Sequence, residues 1–305
     1  MRLRVCTFNT GSFLARGPEN TELTLGPQRY ARKCRFLGDV FDRLRPDVVA
    51  CQEVSEEQGI LDSLAASESS GDLRVVGASE PASRGTRTWL LSRFPLAPGT
   101  QVEIHQDDVP ELTWEGASIR PLGTLVHAVL LPRPGQVLHV LATHLKSKRS
   151  WLPGNRPIES LTDWGLGAML STAKRAAQAV QVRRVVDGIL MKNVDARVCV
   201  MGDFNDLPYS PTIEIMLGDH QAAGRLRLRK LELMPVSASL PGSKRFSHVY
   251  RGRRQLLDDI LASRGLWRGF VGAEAHNASL EFASPAAEFE FSESDHAPVT
   301  ADFRI

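Results

Sequence analysis

The residues best equipped for chemistry follow a short apolar run, Val198-Cys199-Val200-Met201. Gly202 comes next, and Asp203, Asn205 and Asp206 then crowd oxygen-bearing side chains into one short stretch. Carboxylates this close repel one another unless a proton or a cation lies between them. An oxygen-only donor set suits a hard divalent cation. Taken alone, the stretch also fits a Gly-Asp turn closed by an Asx hydrogen bond. Similar groups stand beside other apolar runs: Asn9, Gln52 with Glu53, Thr143 with His144, Lys146 and Ser147, Asp258 with Asp259, and Ser294 with Asp295 and His296. Each by itself is ordinarily a turn former or a structural histidine. Together they imply a shared sheet edge, where strand ends are neighbours and loops carry chemistry.

The elements that must position these groups are legible as alternating strand and helix patterns. Residues 2–8 alternate and then run apolar, which predicts a first strand ending at Asn9. Tyr30, Cys34, Leu37, Phe41 and Leu44 fall on one helical face, and Pro46 stops that helix. A short buried strand over 47–51 leads to Gln52 and Glu53, and Ser55 has the chemistry of an N-cap before acidic Glu56 and Glu57. Residues 86–91 predict a strand that leaves into a proline turn. Residues 125–131 and 137–143 predict a hairpin that ends on His144. A polar insertion (146–164) precedes a helix expected from about Ser171 to Met191. The apolar run before Gly202 reads as a central strand, followed by an irregular region (218–245), a strand at 256–262 and a last one at 297–305. Strands reached both by hairpins and through helices imply mixed sheets covered by helices.

Composition narrows the class. The 305 residues are 42 % hydrophobic and 24 % charged, with no apolar run long enough to span a bilayer. The basic start lacks the apolar core of a secretory signal, so a cytoplasmic protein without stable membrane association is expected. The four cysteines fall in apolar surroundings with no C-x-x-C spacing, which favours buried free thiols. A formal net charge of +2 neither demands nor excludes a polyanionic partner, and no protein partner can be inferred.

The motifs Cys6-Thr7-Phe8-Asn9, Cys51-Gln52-Glu53-Val54, Leu91-Ser92-Arg93-Phe94-Pro95, Thr143-His144-Leu145, Gly202-Asp203-Phe204-Asn205-Asp206, Leu257-Asp258-Asp259-Ile260-Leu261 and Ser294-Asp295-His296-Ala297-Pro298-Val299 resemble the ordered set of the endonuclease/exonuclease/phosphatase superfamily, the DNase I-like fold. The resemblance implies one domain over 1–305: a four-layer αββα sandwich, two mixed β-sheets flanked by helices, with a divalent-metal phosphoesterase site at one rim. Two positions depart from the pattern. Gly11 stands where some DNA-repair members carry an acidic residue, and Asp259 where many have an aromatic.

The resemblance also implies roles. Glu53 and Asp295, with Asn9 fixing the geometry, would hold Mg2+ or Mn2+. Asp203 and Asn205 would hold the water and a phosphoryl oxygen. Asp258 would orient His296 as general base or electrostatic partner, and His144 would contact a non-bridging oxygen or assist the leaving group. Lys146, Ser147 and Arg149, with Lys148 between them, are similar to a phosphate-facing run in bacterial members. Arg225, Arg227 and Arg229 alternate with leucines. On a strand they would present three guanidiniums to a nucleic-acid backbone, or simply to solvent. Trp151 and Trp164 are candidates for base stacking or packing, and His127 and His139 read as structural. The leading expectation is a nuclease acting on DNA or RNA. A phosphatase or phospholipase C-like hydrolase of a lipid head group or small ester is the alternative, and an inactive binding module is a third.

Overall fold

The computed structural model describes residues 1–82, 85–105, 109–114, 117–118, 125–219, 221, 224–280 and 293–305. Two six-stranded sheets lie face to face. The first runs in the order Phe270–Ala275, Val299–Arg304, Arg2–Phe13, Val48–Val54, Arg87–Ser92, Arg74–Ala78. The second runs Leu233–Pro235, Asp258–Ser263, Arg197–Asp203, Gln136–His144, Leu125–Arg133, Glu103–His105. Both sheets are mixed: the first pairs Arg2–Phe13 parallel with Val48–Val54 and antiparallel with Val299–Arg304, and the second pairs Gln136–His144 parallel with Arg197–Asp203.

Period-two alternation divides the side chains between two cores. Val5, Ala50 and Leu90 of the first sheet meet Val140, Met201 and Ile260 of the second. On the outer face of the first sheet, Phe8, Val49 and Leu91 pack on Tyr30, Leu37 and Phe41 of the helix Pro27–Leu44 and on Ile60 of Glu57–Ala66. On the outer face of the second, Leu141, Val200 and Leu261 pack on Ala179, Val182, Val186 and Leu190 of the helix Leu161–Lys192. The layers are therefore helix, sheet, sheet, helix. Each large aliphatic or aromatic side chain buried in them contributes about 1.5–3 kcal/mol. All four cysteines are buried and free, and burial pushes the Cys6 and Cys199 thiols up to about 12. No helix among the described residues is long and apolar enough to cross a membrane.

Four local expectations need correction. The long helix begins at Leu161, not near Ser171, so the insertion is shorter and Trp164 lies on the helix. Ser160 caps it: its hydroxyl oxygen accepts from the Asp163 N–H at 3.0 Å and donates to the Asp163 carboxylate at 2.8 Å. The second helix starts at Glu57 with Glu56 at the cap position, and Ser55 plays no capping part. Arg225, Arg227 and Arg229 do not lie on a strand; Leu226–Leu231 is a 3-10 helix. With three residues per turn, that helix sends residues spaced by two in different directions, so they form no common cationic face. Asp258 and Asp259 open their strand rather than follow it. Because that strand runs antiparallel to Arg197–Asp203, its start still lies at the same edge.

Register does the positioning. His144, Asp203 and Asp258 stand level on three adjacent strands, and Asn9 stands level with Gln52 in the facing sheet. Gly202 permits the row, since a Cβ there would lie 1.9 Å from the Thr143 carbonyl oxygen. Backbone cannot retreat as a side chain can, so Gly202→Ala is expected to cost about 3 kcal/mol, the upper end for overpacking. Urea unfolding measures this, and a wild-type midpoint would show that the strands have slack at this point.

Candidate active site

Asn9 joins the two sheets at their common rim. Its amide nitrogen donates to Glu53 Oε1 at 3.2 Å and to Asp203 Oδ2 at 3.0 Å, while its oxygen accepts from the Gly11 N–H at 3.0 Å. Asp203 is buried and fully engaged. Its Oδ1 accepts from the Asn205 N–H at 2.8 Å, and its Oδ2 lies 3.2 Å from Asn205 Nδ2, 3.4 Å from His144 Nε2 and 3.9 Å from His296 Nε2. Burial alone would raise its pKa, but His296, His144 and Asn9 together hold it below the ordinary carboxylate range. Asn205 also donates to the Leu145 carbonyl at 3.0 Å, which ties the Asp203 loop to the loop after His144.

Glu53 reaches the rim through a distorted backbone. The ladder shifts register between Asn9 and Phe13 and again between Cys51 and Val54, so two neighbouring parallel strands bulge side by side. Ser12, Glu53 and Asn205 all have left-handed backbones, with φ of 51, 63 and 51°. Asparagine tolerates that region, but for Glu53 it costs on the order of 1–3 kcal/mol and marks a conformation that the surroundings impose. Ser12 holds the result, donating to Glu53 Oε2 from its N–H at 2.8 Å and its hydroxyl at 3.1 Å. At Gly11 φ is +66° and a Cβ would approach Ser294 Cα to 3.0 Å, so a side chain there would be strained and would crowd the Ser294 backbone. The carbonyls freed by the bulge are satisfied by Lys33, whose Nζ donates to Thr10 O and Gly11 O at 2.6 Å and also to Glu293 O. Burial pushes this ammonium down to about 8. Lys33 was not singled out in the sequence, although it lies three residues after Tyr30, within the apolar stripe.

The third group is an imidazole pair. His296 Nδ1 lies 2.7 Å from Asp258 Oδ2, which also accepts from the Ser247 hydroxyl at 2.7 Å. Burial opposes charge on both partners. For His296, the nearby Asp258, Asp203 and Asp295 outweigh it and raise the ring to about 10; for Asp258, burial raises the carboxyl against the opposing pull of His296. The His296 ring is therefore held as an imidazolium near neutral pH. His144, also next to Asp203, is raised for the same reason against the same opposing burial. His248, not anticipated from the sequence, lies 3.3 Å from Asp295 and 4.5 Å, ring to ring, from His296. Burial would raise Asp295, but His248 and His296 bring it down to about 2.

The other expected residues lie nearby with different partners. Lys146 Nζ donates to Ser147 O and Oγ at 3.1 Å and to Arg149 O at 3.2 Å, so Lys146 and Ser147 knit their own loop. Arg149 is exposed, and its carbonyl accepts from Ser171. Arg175, on the long helix, pairs with Asp206 at 3.0 Å and donates to Lys146 O, while Lys148 lies 3.5 Å from Asp206. One of three arginines in this alanine-rich helix, it gave little signal of this anchoring role. Arg225, Arg227 and Arg229 are exposed.

Residues 162–285 match the model of the endonuclease/exonuclease/phosphatase family. The whole chain superposes on solved structures with that name. One is an endonuclease/exonuclease/phosphatase from Beutenbergia cavernae, 18 % identical, with a TM-score of 0.58 over 100 % of this chain and 72 % of the other. The chain has the endonuclease/exonuclease/phosphatase fold. An AP endonuclease from Archaeoglobus fulgidus shares it at 16 % identity, TM-score 0.52, over 99 % of this chain and 100 % of that one. A mannosyl-6-phosphatase from Bacteroides thetaiotaomicron shares it at 11 % identity, TM-score 0.57, with the same coverage. No curated protein sequence matches the chain.

The fold family implies a divalent ion, and the rim offers donors for one: ligand atoms of His248, Asp295 and His296 lie within 4.8 Å of one another, as do those of Asp203, Asp258 and His296. Glu53 and Asp295 offer hard oxygens, and Mg2+ needs only one or two carboxylates because it keeps several waters. Asn9, expected to fix the geometry, donates to Glu53 and turns its oxygen to the Gly11 N–H, the contacts of a brace behind that carboxylate. Loss of such a brace typically weakens a metal site by about 10–100-fold. Asn9→Ala, shown by circular dichroism to be folded, should therefore bind Mg2+ at least about tenfold more weakly in calorimetric titration, and unchanged affinity would remove Asn9 from the site.

Proposed function

We propose that the protein is a divalent-metal-dependent phosphodiesterase that hydrolyses nucleic-acid phosphodiester bonds by in-line attack of water. One observation carries this reading: Glu53, Asn9, Asp203, Asn205, His144 and the Asp258–His296 pair, drawn from both sheets, share one continuous contact network. A phosphodiester resists hydrolysis because nucleophile, phosphoryl oxygens and leaving group are all negative. When bound by Glu53 and Asp295, Mg2+ or Mn2+ supplies positive charge to that phosphoryl group. Asp203, held anionic and fixed by Asn9 and Asn205, orients the water. His296, held cationic by Asp258, and His144 beside Asp203 face the phosphoryl oxygens and stabilise the charge that builds on them.

Exposed aromatic rings beside the network favour a polymeric substrate. Tyr250 stacks on His248 at 6.3 Å, with Arg251 over its ring, and Tyr209, 86 % exposed, closes the loop that begins at Asp203. Such rings suit bases, whose stacking is worth about 1–3 kcal/mol each.

Asp203→Asn and His296→Ala are each expected to lower turnover at least about a hundredfold. Plasmid, single-stranded oligonucleotide, inositol phosphates and a sphingomyelin-type substrate, each tested with Mg2+, Mn2+ or chelator, separate the readings. Metal-dependent cleavage of the nucleic acids is expected. Release from the small or lipid esters alone would transfer the site to phosphatase or phospholipase chemistry, and no release from any substrate would leave a binding module.

A further inference from the structure

A second group of metal-competent side chains lies on the other face of the second sheet. Glu103 and His105 alternate on the edge strand Glu103–His105, and His127 stands directly opposite Glu103 on Leu125–Arg133. Glu103 Oε2 lies 3.5 Å from His105 Nε2 and 3.4 Å from His127 Nδ1, and one ligand atom from each of the three residues falls within 4.8 Å of the others. A tetrahedral zinc ion with bonds of about 2.0–2.2 Å spaces its ligands about 3.4 Å apart. The two contacts to Glu103 already have that spacing.

The next ring fixes the chemistry of this set. His139 Nδ1 lies 3.2 Å from His127 Nε2, and the rings of His105, His127 and His139 stack in a row with centroids 6.1 and 5.4 Å apart. His127 thus meets Glu103 through Nδ1 and His139 through Nε2. In one neutral arrangement, His127 donates Nδ1–H to Glu103. In the other, it donates Nε2–H to His139 and turns the Nδ1 lone pair towards the carboxylate. The second places two acceptors face to face, and a cation between them satisfies both. A ligand histidine whose second nitrogen bonds a neighbour is the usual arrangement around zinc.

We propose that Glu103, His105 and His127 supply three ligands of a site for Zn2+ or a similar borderline transition ion, with water in the fourth position and His139 orienting His127. Two imidazoles and one carboxylate select such an ion over Mg2+. Bound there, it clamps a three-residue edge strand to its neighbour. The site is separate from the rim. Leu141, level with His127, and Leu125 lie on the face packed by the long helix, whereas Val140 and Ala142, of the same parity as His144, face the core between the sheets.

Co2+ titration of the metal-stripped full chain in saturating Mg2+, followed by visible absorption and calorimetry, tests this. It should be repeated in an Asp295→Asn/His248→Ala background to silence the rim. One Co2+ per chain with a four-coordinate spectrum is expected in both proteins. Glu103→Gln, at an exposed position, and His105→Ala should each weaken binding at least about tenfold, and His139→Gln by about 10–100-fold. Phosphoesterase activity with Mg2+ should be unchanged in Glu103→Gln. Binding that survives both Glu103→Gln and His105→Ala, that disappears with the rim substitutions, or that is absent from the wild type would overturn the proposal.

Discussion

The contact on which the rim depends is the bifurcated donation from Asn9 to carboxylates in opposite sheets, 3.2 Å to Glu53 and 3.0 Å to Asp203. Two buried or half-buried carboxylates facing each other would repel, and the neutral Asn9 amide has two N–H donors, one for an oxygen of each, without cancelling their charge. The sheets pack through apolar side chains that set their separation but not their detailed alignment. Asn9 supplies the alignment at the edge, where a shift of 1 Å would separate the groups.

Around that contact the protein concentrates local strain. Two adjacent bulges and a left-handed Glu53 would be unfavourable alone, and they persist because Ser12, Lys33 and Ser294 hold them from below. Ser294 does so by donating its hydroxyl to Asn9 O at 2.7 Å and accepting from the His296 N–H at 3.0 Å, which links the last motif to the first. The strained backbone therefore belongs to the site itself, as expected where side chains must be aimed against the alternation of their strands. The opposite charges follow from the same arrangement. Asp203 sits among donors and stays anionic, and His296 sits among three acids and stays cationic.

The αββα layering and the rim were legible in the sequence because burial and turn chemistry leave periodic marks. Four apolar residues before Gly202 mark a doubly covered strand, and polar residues at successive strand ends mark one edge. What escaped was non-local or conditional on geometry. Lys33 and Arg175 act on carbonyls and carboxylates far away in the chain, and His248 meets Asp295 across 47 positions. The arginines at 225, 227 and 229 misled because a spacing of two suits a strand, while the local chain winds as a 3-10 helix. The Leu161 helix start was readable from Ser160 and Asp163, a capping pair that a longer helix would have made natural to seek.

The central claim is that one rim, assembled from both sheets, gathers its groups around a single doubly charged ion and one phosphate. Anomalous diffraction from a crystal grown with Mn2+ and a non-hydrolysable phosphodiester tests it most directly. The account predicts one strong peak within about 2.3 Å of carboxylate oxygens of Glu53 and Asp295, with the phosphoryl group between that peak and His144, Asp203 and His296. A peak away from Glu53, or a phosphate held elsewhere on the molecule, would contradict it.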